Sequence, residues 1–263
     1  MSDYMTKTLA ELSVAILADG IIDAEEVQGI KSRLYEDGII DREEADFLFQ
    51  LNDGVSGKEN DSSWQDLFVE ALTDHVLKDD VSPDILDEDE AKYLIEKIES
   101  DGQVDNVELA LLVNVTAKAK ECTPTFNTFV LNTLKKVVID DGIVDADEVE
   151  MMKTVIYGVG GGDGEGVDRA EADMLFDIND ATTSNDGHDP SWQAFFVEAI
   201  AKHLLADETS PGEVDEDEGD WLISRIEGDG EYDANEKALL ENIKVNAKTI
   251  AGKLKFKIDM FGV

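Results

Sequence analysis

Asp19-Gly20-Ile21-Ile22-Asp23-Ala24-Glu25-Glu26 is the first copy of a pattern, Asp-Gly-x-(apolar)-Asp-x-x-Glu, whose reading decides the fold. The pattern returns at Asp37-Gly38-Ile39-Ile40-Asp41-Arg42-Glu43-Glu44 and at Asp101-Gly102-Gln103-Val104-Asp105-Asn106-Val107-Glu108. It returns again at Asp141-Gly142-Ile143-Val144-Asp145-Ala146-Asp147-Glu148 and Asp229-Gly230-Glu231-Tyr232-Asp233-Ala234-Asn235-Glu236. Apolar residues at helical spacing flank the copies, as in Leu9, Leu12 and Ile16 before the first. A glycine just past a helix takes the left-handed conformation that costs other residues strain. An Asp three residues before a Glu forms a capping box. Each copy therefore reads as a tight helix-to-helix junction, and the chain as all-α.

The junctions sit in a larger repeat. Leu12–Val27 aligns with Leu134–Val149 at an offset of 122, and Ser63-Trp64-Gln65 with Ser191-Trp192-Gln193 at 128. Ser82-Pro83 falls on Ser210-Pro211, and Asp87 through Glu90 on Asp215 through Glu218, which adds two degenerate junctions. A further degraded copy, Asp163 to Glu171, carries Asp168 at its second Asp and begins within the glycine-rich insert 158–166. The expected architecture is two tandem homologous helical domains, 1–121 and 122–250. Each holds two helix–loop–helix–loop–helix modules. A short extended C-terminal tail, 251–263, lies outside the repeat. There Lys253, Lys255 and Lys257 alternate with Leu254, Phe256 and Ile258.

Composition narrows the function. The chain of 263 residues carries 62 acidic and 22 basic side chains, a net charge of −40. Such a charge repels nucleic acid and anionic lipid, and it attracts cations or basic partners. A single cysteine, Cys122, rules out an intrachain disulfide. No apolar run approaches membrane-span length. With no signal-peptide pattern at the start of the chain, the expected compartment is the cytoplasm.

The junction chemistry has two readings. Asp-Gly-x-Ile-Asp-x-x-Glu matches positions 5 to 12 of a calcium-binding EF-hand loop, with oxygen ligands at 5, 9 and 12. Positions 1 and 3 fail: they hold Ala15 and Leu17, Arg33 and Tyr35, or Lys97 and Glu99. Asp207 to Glu218 is the fullest match, but Pro211 occupies position 5. The other reading is helix capping alone. Capping accounts for the glycine, the second Asp and the Glu. It leaves the first Asp facing the negative end of a helix dipole. Cation binding by pooled half-loops is favoured on that ground, with Ca2+ the expected ion and Mg2+ or another divalent cation admitted. The expected ligands are Asp19, Asp23 and Glu26; Asp37, Asp41 and Glu44; Asp87 and Glu90; Asp101, Asp105 and Glu108; Asp141, Asp145 and Glu148; Asp163, Asp168 and Glu171; Asp207, Asp215 and Glu218; and Asp229, Asp233 and Glu236.

Ala18-Asp19-Gly20-Ile21-Ile22-Asp23-Ala24-Glu25-Glu26 resembles the acidic helix junctions of the TerB-like family of tellurite-resistance proteins. That resemblance implies an all-α domain in each half and a metal-linked role. The tandem repeat and the Lys-rich tail depart from a single domain of that family.

Other features point away from catalysis. His75 and His203 occupy equivalent helical positions and read as core or boundary residues. Ser63 and Ser191 read as N-caps before the core-anchoring Trp64 and Trp192. The glycine insert lacks the Gly-Lys-Ser/Thr ending of a phosphate loop. No nucleophile–base arrangement is spaced for chemistry, so a non-enzyme is expected. The alternative function is a structural, self-assembling protein. In it Lys253, Lys255, Phe256 and Lys257 dock the tail on an acidic groove of another copy, making a homo-oligomer.

Overall fold

The computed structural model describes residues 4–79, 81–100, 102–158, 166–206 and 210–262, with the backbone alone at Asp141. It is mainly helical, with thirteen α-helices and four two-residue strands among the described residues. The chain divides into two compact units, Met1–Val130 and Leu131–Val263.

The first unit holds α1 (Leu9–Ile16), α2 (Ala24–Leu34), α3 (Arg42–Val55), α4 (Ser62–Leu77), α5 (Glu88–Ile98) and α6 (Asn106–Lys118). Strand β1 (Ile85–Leu86) pairs in parallel with β2 (Glu121–Cys122), and α7 (Pro124–Asp141) runs across the boundary between the units. The second unit continues with α8 (Ala146–Tyr157), α9 (Arg169–Thr182), α10 (Pro190–Leu205), α11 (Glu216–Ile226), α12 (Ala234–Asn246) and α13 (Gly252–Phe261). Its strands β3 (Glu213–Val214) and β4 (Thr249–Ile250) also pair in parallel.

One helix centres each unit. Helix α4 packs on α2, α3 and α6, and α10 on α8, α9 and α12. The sequence explains their position. Trp64, Phe68, Leu72 and Val76 recur every fourth residue and are all buried, as are Trp192, Phe196, Ile200 and Leu204. Burying one such side chain is worth about 1.5–3 kcal/mol. Phe49 packs edge-on against Phe68, and Phe176 packs likewise against Phe196. Both central helices begin at an aspartate rather than a serine. Asp61 and Asp189 are the N-caps, and Ser63 and Ser191 donate to them from backbone and hydroxyl. Ser and Asp two residues apart compete for that role, and the carboxylate is the stronger acceptor.

The junctions form as their chemistry dictates. Gly20, Gly38, Gly102, Gly142 and Gly230 all take φ between 75° and 83°. In the degenerate copies Gly212 does the same, while Asp84 adopts φ 66° in its place. In six of the eight junctions the residue before the second Asp plugs the core: Ile22, Ile40, Leu86, Val144, Val167 and Val214 are at most 5% exposed, while Val104 and Tyr232 are half-buried.

The C-terminal segment is helical, not extended. Alternation over a few residues also sets Leu254 and Ile258 four apart, and these two are buried against α11. Strand pairing in this region ends just earlier, at Ile250. Lys, Leu, Met and Phe all tolerate a helix, and with no strand to pair, local hydrogen bonding wins.

No helix among the described residues is long and apolar enough to cross a membrane.

Candidate functional site

Eight second aspartates act as N-caps: Asp23, Asp41, Asp87, Asp105, Asp145, Asp168, Asp215 and Asp233. In each case the Glu three residues on (Glu26, Glu44, Glu90, Glu108, Glu148, Glu171, Glu218 and Glu236) returns one carboxylate oxygen to the cap's backbone N–H. The capping boxes are therefore complete without a metal.

The first aspartates have a local role that sequence reasoning missed. Asp19, Asp37 and Asp229 accept the N–H two residues on, from Ile21, Ile39 and Glu231, at 3.3, 3.0 and 2.9 Å. These Asx turns close the chain over the left-handed glycine. They give a metal-free reason for an Asp at a helix C-terminus. Of the remaining first-position ligands, Asp101, Asp163 and Asp207 lie outside the described residues, and the Asp141 side chain is not described.

What separates the junctions is the environment of the Glu. Glu44, Glu108, Glu148, Glu171 and Glu236 are buried, and Glu236 is only 1% exposed. Burial pushes Glu236 up to about 8, and the negative charges of Asp233, Asp229 and Asp180 add to the effect. Its Oε2 accepts the Asp233 N–H at 3.1 Å. Its Oε1 is buried with no hydrogen-bond partner among the described residues. Asp180, on α9, faces the same group. Burial pushes its carboxyl up to about 6, with Asp229, Asp177 and Asp233 raising it further and Arg225 opposing. Its Oδ1 is likewise buried without a partner. Arg225 is mainly committed elsewhere, at 2.6 Å from Asp177 and 3.8 Å from Asp180.

Glu90 is a lesser case, raised to about 7 by burial and by Asp87 and Asp79. Glu26 and Glu44 are raised by burial and by their own aspartates, and Arg33 sits 3.8 Å from Glu44. Asp79 and Asp180 were not among the expected ligands. A signal for Asp180 was present, because Asn52-Asp53 and Asn179-Asp180 recur 127 residues apart.

The second aspartates also anchor tertiary structure. Asp105 Oδ2 accepts from Asn52 Nδ2 at 2.9 Å and Ser56 Oγ at 2.8 Å. Asp233 Oδ2 accepts from Asn179 Nδ2 at 2.6 Å and Thr183 Oγ1 at 3.0 Å. The two histidines fasten other junctions. Nδ1–H of His75 donates to Ile40 O at 2.8 Å, and that of His203 to Val167 O at 2.7 Å. Burial holds both imidazoles below their usual range.

Two residues of the expected assembly segment are paired at home. Lys253 meets Asp220 at 2.6 Å, and Lys257 pairs with Glu227. Lys255 and Phe256 face solvent, and Phe256 is 68% exposed. Cys122 is buried, and burial pushes its thiol up to about 12, which leaves it unreactive.

A divalent cation can be tested against this geometry. Among the described residues no group of three or more His, Cys, Asp or Glu side chains is gathered to hold a metal ion. Around Glu236 stand the carboxylates of Asp180, Asp229 and Asp233 and the Tyr232 hydroxyl, oxygen groups of the kind hard cations prefer. Two of those oxygens are buried and orphaned, as a missing positive partner would leave them. Carboxylates that repel one another hold such a cluster open. The α11–α12 junction thus brings together two buried carboxylate oxygens that make no hydrogen bond among the described residues, Glu236 Oε1 and Asp180 Oδ1, and Glu171, 2% exposed, is a second deeply buried junction carboxylate.

No family model matches the chain, and neither the curated proteins nor the solved structures contain a match to it.

Proposed function

We propose that this chain is a non-catalytic, divalent-cation-binding protein of two tandem homologous helical domains, with its principal site at the α11–α12 junction. The observation that carries this reading is Glu236, a carboxylate 1% exposed, with an orphaned oxygen beside Asp180, Asp229 and Asp233. Calcium is the favoured ion, because its flexible shell of six to eight oxygens tolerates ligands from two helices and a turn. Magnesium needs a stricter octahedron. Asp180, Asp229 and Glu236 would hold the ion, and Asp233 would stay the helix cap while adding charge. The resemblance of the junctions to those of TerB-like proteins agrees with a metal-linked role. A cation bound only by the native state stabilises it by about 2.7 kcal/mol at a hundredfold excess over Kd. Calcium titration of EDTA-stripped protein tests the proposal. Saturable heat is expected from the wild-type chain, and a loss of it from Asp180→Asn.

A second reading, self-assembly through α13, is favoured by one comparison. Phe256 and Met260 are 68% and 56% exposed. The positions 128 residues earlier, on α7, are the exposed polar residues Thr128 and Asn132. Sedimentation velocity is expected to show a concentration-dependent oligomer that Phe256→Thr with Met260→Asn disperses. A monomer at every concentration removes this reading.

A further inference from the structure

The second unit carries a cavity of about 180 Å³, lined by Asn179, Thr183, Asn185, His188, Trp192 and Asp233 among others. The corresponding place in the first unit shows what is unusual about it. There the Trp64 indole N–H donates to Asn52 Oδ1 at 3.2 Å, so the buried ring is satisfied. At the matching position Asn179 Oδ1 is already taken, by Asn235 Nδ2 at 2.8 Å. Asn235 stands where the first unit has Val107, 128 residues earlier, and Val107 has no side-chain donor. Trp192, 1% exposed, lacks the corresponding bond to Asn179 Oδ1. Its indole N–H makes no hydrogen bond among the described residues, and the ring lines the cavity.

We infer that this cavity is a binding site for a small, uncharged polar molecule that presents a carbonyl or hydroxyl oxygen to the Trp192 indole N–H. An indole N–H is a donor only, so its partner must be an acceptor. An anion is disfavoured by the Asp233 carboxylate in the wall, and the indole N–H, a donor only, offers a cation no lone pair. Around the acceptor the wall offers polar side chains for the rest of the ligand. Asn185 spends one Nδ2 hydrogen on Gly142 O at 2.9 Å and keeps its amide oxygen as an acceptor. His188 accepts the Val144 N–H at Nδ1, 3.0 Å away, so the proton is on Nε2, which faces Thr182 O at 3.1 Å. The ring is therefore fixed, and the wall is built before a ligand arrives. A primary amide matches this set, with one acceptor oxygen and two donor hydrogens. The site stands independently of cation binding, although Asp233 belongs to both.

The full-length protein, held in EDTA and labelled with 15N, carries its own control in the paired indoles of Trp64 and Trp192. Titration with acetamide is expected to move the Trp192 indole resonance progressively and to saturation, leaving Trp64 in place, while acetate at the same concentrations moves neither. Asn235→Val, which installs the first unit's residue, is expected to return Asn179 Oδ1 to Trp192. Its Trp192 resonance should shift before any ligand is added and then ignore acetamide. The inference is overturned if acetamide moves neither indole or both alike, if acetate moves Trp192 equally, or if Asn235→Val leaves the acetamide response intact.

Discussion

Glu236→Gln is expected to make the cation-free protein more stable at pH 8 and to remove its stabilisation by calcium. Glutamine keeps an oxygen for the Asp233 backbone N–H, so the capping box survives. What disappears is a buried negative charge. In the folded wild type burial pushes Glu236 up to about 8, against an ordinary value of 4.5. Between those values the unfolded chain has lost a proton that the folded chain retains, so stability falls as pH rises. It is fully present below about 4.5 and lost by about 8. Asp180, raised to about 6, steepens the same fall over its lower part. Melting temperatures of the EDTA-treated wild type should therefore decline from pH 5 to pH 8, and calcium should flatten that decline. The Glu236→Gln protein should show a shallower decline and no calcium response. If the variant melts lower than the wild type at pH 8 in EDTA, Glu236 is only a helix cap and the assignment fails.

Asp105→Ala should destabilise by about 3 kcal/mol, well beyond the cost of the same change at Asp23. Each aspartate caps its helix, and losing a cap costs about 1 kcal/mol. Among the described residues the Asp23 carboxylate makes only its cap hydrogen bond, accepting the Glu26 N–H at 2.8 Å. Asp105 in addition holds Asn52 and Ser56 through its second oxygen. Asn52 is 2% exposed and supplies the acceptor for the Trp64 indole. Removing the carboxylate strands a buried amide donor, which costs about 1–3 kcal/mol. Urea unfolding, followed by the fluorescence of Trp64 in a chain with Trp192 and Trp221 replaced by Phe, reads the difference. Equal losses at the two positions would show that the Asn52–Asp105 bond carries no weight.

The helix starts were legible because each rests on residues within one turn of one another. Asp and Glu three apart form a box within one turn, and a glycine at positive φ marks the junction before it. The buried residue before most of the second aspartates was legible from its place in the repeat, as Ile22 and Val144 show. The helix dipole alone did not reveal the local hydrogen bond that the first aspartates make. The Asx turn at Asp37 or Asp229 is a side-chain-to-backbone bond that outweighs a screened dipole at an exposed end. The C-terminal helix was misread because Leu254 and Ile258 fit a period of two as well as a period near four, and ten residues do not separate them. The strands at Ile85 and Glu213 are two residues long, below the length at which alternation exists. The least legible part of the site was Asp180. It reaches Glu236 only because α9 packs beside the α11–α12 junction, a tertiary fact that spacing along the chain does not encode.

The central claim, that a divalent cation binds at Glu236 with Asp180 and Asp229, makes one further demand. At pH 7 Glu236 is largely protonated in the cation-free chain, and the ion requires its carboxylate, so binding must release protons. Calorimetric titration of EDTA-stripped protein with calcium at pH 7, repeated in two buffers of different ionisation enthalpy, measures that release. The account predicts saturable binding with proton release approaching one per ion at this site, and no such release from Glu236→Gln. Heats indistinguishable from dilution, or binding with the same heat in both buffers, would contradict it.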